Sequence, residues 1–230
     1  MKKIAIITAR GGSKRIPHKN MLPFLGKPII AYSIEAALSS GEFDEVMVST
    51  DDENIAKIAK EYGASVPFMR SERTANDFAS TADVLFEVLD EYEKRGEHFD
   101  VLCCIYPTAV FITDKKIKEA MGKLVNSDFD TLLPVVKFSY PVQRSLVKNG
   151  EGLEFKYPEY IDARSQDLEP HFHDAGQFYI MKTEDFKRNK EIMKGKIMPY
   201  ELPEMEVQDI DTMSDWHIAE IKFQAMKGEN

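Results

Sequence analysis

The chain has 230 residues, a formal net charge of -9, 43% hydrophobic and 30% charged residues, which is the profile of a soluble globular domain with room for one substantial core. A balance this acidic excludes the broad basic face that a general nucleic-acid or membrane-surface binder needs. It leaves open a small anionic ligand held in one local basic pocket.

The first half alternates strand and helix signals. "KKIAIIT" reads as an isoleucine-rich strand and "PIIAYSIEAALSS" as a helix, with Pro28 at its first turn and Gly41 beyond its end. "EVMVST" is a strand, and "DDENIAKIAKEYG" a helix with acids in its first turn and a glycine stop. "SVPFM" is a short strand and "STADVLFEVLDEYEKRG" an amphipathic helix; "DVLCCIY", "TDKKIKEAMGKLVN" and "DTLLPVV" continue as strand, helix, strand. This βαβ rhythm predicts an α/β fold: a Rossmann-like, mostly parallel sheet with helices on both faces, ligands meeting it beyond the carboxyl ends of the strands. From about Phe138 to Glu169 the rhythm fails, and that stretch reads as an arm inserted into a single domain spanning 1–230. "AGQFYIM" and "KIMPYEL" return as strands. "TMSDWHIAEIKFQAM" closes the chain as a helix, with Thr212 and Asp215 suited to its start as a variant capping box.

Cys103 and Cys104 are adjacent in an apolar strand, where neighbours point to opposite faces, so no disulfide joins them. The opening apolar run is too short for a signal peptide and no stretch reaches transmembrane length. The expected setting is the cytoplasm, with no membrane and no nucleic-acid partner.

The segment "ITARGGSKRIPHKN" gathers Arg10, Lys14, Arg15 and Lys19 around Gly11 and Gly12, at the carboxyl end of the first strand. Glycines let backbone N–H groups approach a phosphate closely, Arg supplies a planar fork of donors and Lys a point charge. The segment is neither a Walker A loop nor GxGxxG, so it fits neither of those phosphate motifs. Taken whole, it predicts phosphate binding; a bare glycine pair would mean only a turn.

Two carboxylates stand out near the other end. In "EVQDIDT", Asp209 and Asp211 lie two apart, on one face of an extended segment. Such a pair can hold Mg²⁺ with phosphate and water completing an octahedron; alternatively, Asp211 caps the last helix and Asp209 is surface. Asp51 and Asp52 also follow a strand, and there helix capping is the favoured role, with Asp51 a reserve metal ligand.

"ARGGSKRIPHKN", "LPFLGKPIIAYSIEAAL", "VSTDDENIAKIAKEYGA", "CIYPTAVF" and the terminal "DID" together resemble the cytidylyltransferases that activate nonulosonic acids, the CMP-sialic acid synthetase family. "SQDLEPHFHDAGQFYI" is most similar to its pseudaminic acid branch. The resemblance implies CTP and a nonulosonic acid as substrates, Mg²⁺ on Asp209 and Asp211, and a homodimer formed through the arm. It implies that Arg10 and Lys19 hold the triphosphate and, with Asp211, carry the chemistry. Gly12 and Ser13 would lie alongside, and Asn20 would contact the nucleotide sugar. Thr8 and Ala9 would offer backbone groups to the base, with Arg73 and Thr81 completing its pocket. For the acidic sugar, Arg164 suits the carboxylate by bidentate pairing, and Gln166, Asp174 and Gln177 its other substituents. His171 and His173 could share a strand face, but no fourth zinc ligand stands at a recognisable spacing. Relatives often carry glycine where Arg15 stands and Pro-Thr-Ser-Pro where this chain has "PTAV".

Overall fold

Ile4, Ala5, Ile6 and Ile7 are all fully buried, because the strand they form lies inside a sheet covered on both faces. In the computed structural model, which describes residues 1–228, that strand is β1 (Lys3–Thr8). A short ribbon, β2 (Pro23–Phe24) and β3 (Lys27–Pro28), leads into α1 (Ile29–Ser40). There follow β4 (Glu45–Ser49), α2 (Glu53–Glu61), α3 (Glu72–Ala75), α4 (Thr81–Glu93), β5 (Val101–Ile105), α5 (Asp114–Val125) and β6 (Thr131–Lys137). The chain then leaves the sheet for a hairpin, β7 (Leu146–Asn149) and β8 (Gly152–Phe155). It returns with β9 (Phe172–Asp174), β10 (Phe178–Lys182), α6 (Thr183–Asn189), β11 (Ile197–Glu201) and α7 (Met213–Gly228).

The sheet order is β11-β6-β10-β5-β1-β4, with β9 also on β6. β4, β1, β5, β6 and β11 run one way; β9 and β10 run against them. The sheet is therefore mostly parallel, as the alternation predicts. Period-two alternation divides the core. Ala5, Ile7, Val46, Val48, Cys103 and Ile105 face α1, α2 and α5, while Ile4, Ile6, Met47, Leu102 and Cys104 face α4 and α6. The two cysteines thus serve opposite faces and both are free.

Three local differences from the sequence reading have physical causes. "SVPFM" makes one isolated bridge, Ser65 to Met47, on the outer edge of β4; Pro67, two residues on, has no N–H to continue a ladder. "TEDFKRN" forms α6, a single short helix with acids in its first turn and bases in its last. β9 and β10 share the same side of β6 but are parted by Ala175–Gln177, where Gly176 takes a left-handed φ of 61°.

The excursion after β6 closes where the Phe138 N–H donates to the His171 carbonyl at 2.9 Å. Between these points only the β7–β8 pair forms a ladder, and large apolar side chains stay exposed, including Tyr140 at 87% and Leu153 at 70%. Among the described residues, no helix is long and apolar enough to cross a membrane.

Candidate active site

Beyond the carboxyl end of β1 the chain turns sharply, and both termini of the turn are tied down. The Ala9 N–H donates to the Ser49 carbonyl at 3.0 Å. The Asn20 Nδ2 donates to the Arg10 carbonyl at 3.0 Å. The Gly11 N–H donates to Asp51 Oδ1 at 2.9 Å. Gly11 admits no side chain: a Cβ there would lie 2.8 Å from Asp52 Oδ2 and 2.9 Å from Asp52 Cβ. The Asp52 carboxylate is itself fixed, accepting from the Asn54 and Ile55 amides as the N-cap of α2. Asp51 therefore holds the basic turn by a hydrogen bond, and Asp52 abuts it while capping α2.

The turn meets the acidic segment through an apolar joint. Ile16 and Ile210 are buried in one cluster with Phe24, Ile29, Val110, Phe111 and Trp216 of α7. On the extended Asp209–Asp211 segment, burying Ile210 turns the flanking aspartates the other way. Burial of this isoleucine is worth about 2 kcal/mol, and that energy fixes where the two carboxylates stand. Asp215 adds to it: its Oδ2 accepts from the Asp211 amide at 3.1 Å and the Thr212 amide at 2.7 Å, while the Asp215 N–H donates to Thr212 Oγ1 at 3.3 Å. The Thr212–Asp215 capping box thus frees the Asp211 side chain from capping duty. The Thr212 hydroxyl, which donates to Asp215 Oδ2 at 2.8 Å, and the Thr212 and Asp211 amides hold the Asp215 carboxyl below its usual range.

A cavity of about 600 Å³ opens between turn and acid segment, lined by Thr8, Arg10, Ser13, Lys14, Arg15, Lys19, Asn20, Tyr106, Pro107, Thr108, Asp209 and Asp211. Across it, Arg15 Nη2 donates to Asp211 Oδ1 at 2.6 Å, and Lys19 Nζ stands 3.7 Å from the same oxygen. Lys19 also donates to the Ile210 carbonyl at 2.5 Å. Asp209 is exposed as a residue, yet partial burial of its carboxyl group away from water, and next the neighbouring Asp211 charge, push its pKa up, against the pull of Lys19. Asn20 is 6% exposed, and its Oδ1 has no hydrogen-bond partner. A buried acceptor in a cavity wall is costly unless a ligand donor meets it.

A second cavity of about 270 Å³ shares Thr8, Arg10 and Tyr106 with the first and is closed by Arg70, Thr74 and the Asn76–Thr81 loop. Arg70 is buried and donates to the Ser49 carbonyl at 2.6 Å and Ser49 Oγ at 3.1 Å; burial lowers its pKa, opposed by Asp51 and Glu87. A third cavity, about 380 Å³, adjoins the first at Asp209 and is lined by Lys137, Phe138, Tyr140, His173, Glu204 and Lys222 among others.

The structure thus brings together Thr8, Arg10, Ser13, Lys19, Asn20, Asp209 and Asp211 in one cavity, and Thr81 in the next. Ala9 is buried, with its N–H committed to Ser49. Gly12 is exposed on the turn. Arg73 stands elsewhere: α3 carries it to the surface beside Glu87, at 3.8 Å. Arg164 and Gln166 lie exposed on the excursion, Arg164 paired with Asp167 at 2.7 Å. Asp174 is engaged by the Tyr179 hydroxyl and the Gly176 amide. Gln177 is buried, its Nε2 donating to the Glu206 carbonyl while Oε1 has no partner. Arg70, Asp77 and Tyr106 escaped the sequence reading as site residues. An arginine closing the apolar run "SVPFM" was the available signal for the first.

The chain is similar to several known proteins. A pseudaminic acid cytidylyltransferase of Campylobacter jejuni (strain 81-176) is 40% identical over 224 residues, 97% of each chain. A CMP-N,N'-diacetyllegionaminic acid synthase of Legionella pneumophila is 34% identical over 230 residues, covering 96% of this chain and 95% of that one. A solved CMP:2-keto-3-deoxy-manno-octonic acid synthetase, complexed with CTP, superposes with a TM-score of 0.72 at 19% identity over 99% of this chain and all of that one, a likeness of fold. The profile described as cytidylyltransferase matches residues 4–198, and the chain belongs to that family.

Proposed function

We propose that this cytidylyltransferase joins CTP to a nonulosonic acid of the pseudaminic type, giving the CMP-sugar and pyrophosphate. One observation carries the reading. A cluster of Arg and Lys side chains faces two closely spaced carboxylates across a single cavity at the carboxyl edge of the sheet. The basic side suits polyphosphate oxygens, and the size suits a nucleotide portion and an acidic sugar.

The anomeric hydroxyl of the sugar acid attacks the α-phosphorus in line with departing pyrophosphate. Arg10 and Lys19 hold the phosphates and offset charge that builds up in the transition state, with Ser13 and the Gly12 backbone beside them. Asn20 Oδ1 accepts from a nucleotide hydroxyl. Thr8, Thr81 and Arg70 border the smaller cavity, which takes the cytosine. Tyr106, on the wall between the two, sets the angle at which the substrates meet. Asp209 and Asp211 fit Mg²⁺: both are hard oxygen donors, and a cation would offset the Asp211 charge that helps to raise the Asp209 pKa. Among the described residues no group of three or more His, Cys, Asp or Glu side chains could hold a metal ion, so a metal on this pair would need its remaining ligands from phosphate and water. When bound there, Mg²⁺ supplies Lewis-acid stabilisation of phosphate charge.

The exposed apolar side chains of the excursion support a homodimer formed through it. A sedimentation mass of one chain at micromolar concentration would count against it. Use of CTP supports a cytoplasmic setting for this reading. The deciding assay offers the purified protein CTP with pseudaminic, legionaminic, sialic and Kdo acids separately, with mass detection of the conjugate. Pseudaminic acid is expected to be turned over fastest; preference for another acid moves the chain to that substrate, and no conjugate with any of them overturns the proposal.

A further inference from the structure

Arg10 and Lys14 already share an anionic partner within the chain. Arg10 Nη1 donates to Asp77 Oδ1 at 2.8 Å and Lys14 Nζ to Asp77 Oδ2 at 2.5 Å. Both cations line the large cavity and Asp77 lines the adjoining one. The carboxylate reaches them from a built turn. Asn76 Oδ1 accepts from the Phe78 and Ala79 amides at 2.8 and 3.1 Å, and Asn76 Nδ2 donates to the Arg73 carbonyl at 2.8 Å. On the far side, Ser80 and Asp83 close a capping box on α4. Hydrogen bonds from Lys14 and Arg10 hold the Asp77 carboxyl below its usual range, so it is ionised at neutral pH.

We propose that Asp77 is an internal counter-anion that competes with pyrophosphate for Arg10 and Lys14, and so governs release of that product. This rests on the reading that the basic turn holds the triphosphate. The same donors cannot serve a carboxylate and a phosphate at short range together. Within CTP, the β- and γ-phosphates are tethered by the bound nucleoside, which raises their local concentration enough to displace Asp77. Once the α–β bond breaks, pyrophosphate loses that tether while Asp77 keeps its own. The carboxylate then recovers both cations, and pyrophosphate leaves a site that would otherwise grip it. Phe78, 97% exposed at the tip of this turn, adds no packing that would oppose such a movement.

The test measures binding of inorganic pyrophosphate, CTP and CMP to the full-length chain by calorimetry in metal-free buffer, and pyrophosphate inhibition of turnover. Losing exposed ion pairs of this kind predicts pyrophosphate binding roughly fivefold tighter in Asp77→Asn, with CMP affinity held to within about twofold. Inhibition by pyrophosphate deepens in step. Asp77→Ser, which removes the charge but retains a turn-forming side chain, should show the same gain. Unchanged or weaker pyrophosphate binding in both variants overturns the proposal. Arg10→Ala separates the two levels: if it leaves CTP and pyrophosphate affinity intact, the reading of the turn fails. If it weakens both ligands while the Asp77 variants bring no gain, the counter-anion alone fails.

Discussion

Two acidic pairs stand at the carboxyl edge of the same sheet and have opposite fates. Asp51 and Asp52 follow β4 and are consumed by backbone amides: Asp51 by Gly11, Asp52 by Asn54 and Ile55. Asp209 and Asp211 precede α7, where Asp215 and Thr212 take over the capping, and their side chains open onto the cavity. A carboxylate satisfied by N–H donors builds structure. One whose capping role has been taken by a neighbour, and whose charge is left crowded, is available for chemistry. Adjacent acids in a sequence do not reveal which case holds; the competing donors do.

The largest effect that would sharpen this contrast is on turnover. Asp211→Asn should lower kcat by about a thousandfold, the upper scale for removing one group that stabilises transition-state charge, as read by pyrophosphate release at saturating CTP. Activity near the parent's would erase the distinction between the pairs. Next comes Gly11→Ala, whose methyl would collide with Asp52 and push the turn off Asp51. A displacement on that scale predicts a loss of about a hundredfold in kcat/KM for CTP. Asp52→Ala should act on folding instead, costing about 1 kcal/mol for a lost N-cap, measured by urea unfolding.

The smallest effect has the opposite sign. Partial burial of its carboxyl and the Asp211 charge raise the Asp209 pKa in the folded chain, so its ionised form opposes folding. In metal-free buffer at neutral pH, Asp209→Asn should therefore melt slightly higher than the parent, by at most about 2 °C. The advantage should fade as pH falls through the raised pKa, where the parent's own carboxyl takes up a proton. A lower melting temperature for the variant at neutral pH would show that Asp209 is held by favourable contacts like Asp52.

The sheet was legible in the sequence because two-sided burial leaves continuous apolar runs such as Ile4 to Ile7, and the first two helices bring glycine stops at Gly41 and Gly63. The turn and the "DID" segment could be read as a site because their residue types are specific and each lies beside a recognisable element. That they meet could not be read, since Ile16 and Ile210 are 194 positions apart by number and only the folded cluster joins them. Arg70 and Arg73 show the limit most plainly. They stand three residues apart in a stretch with no sustained period, and beyond Arg70 closing the apolar run "SVPFM" little in the sequence separates Arg70, which goes inward under Ser49, from Arg73, which goes out to solvent. The excursion was legible as an interruption, but its hairpin register and its closure at Phe138 and His171 depend on backbone pairing that short, turn-rich segments do not announce.

The chain has one tryptophan, and Trp216 lies in the joint that clamps Ile16 to Ile210. Its indole therefore sits behind the seam between the cationic and carboxylate halves, donating Nε1–H to Glu220 at 3.2 Å. Any ligand that draws the halves together must repack the wall around that ring. Intrinsic fluorescence is thus a label-free gauge of the seam, free of interference from a second emitter of its kind.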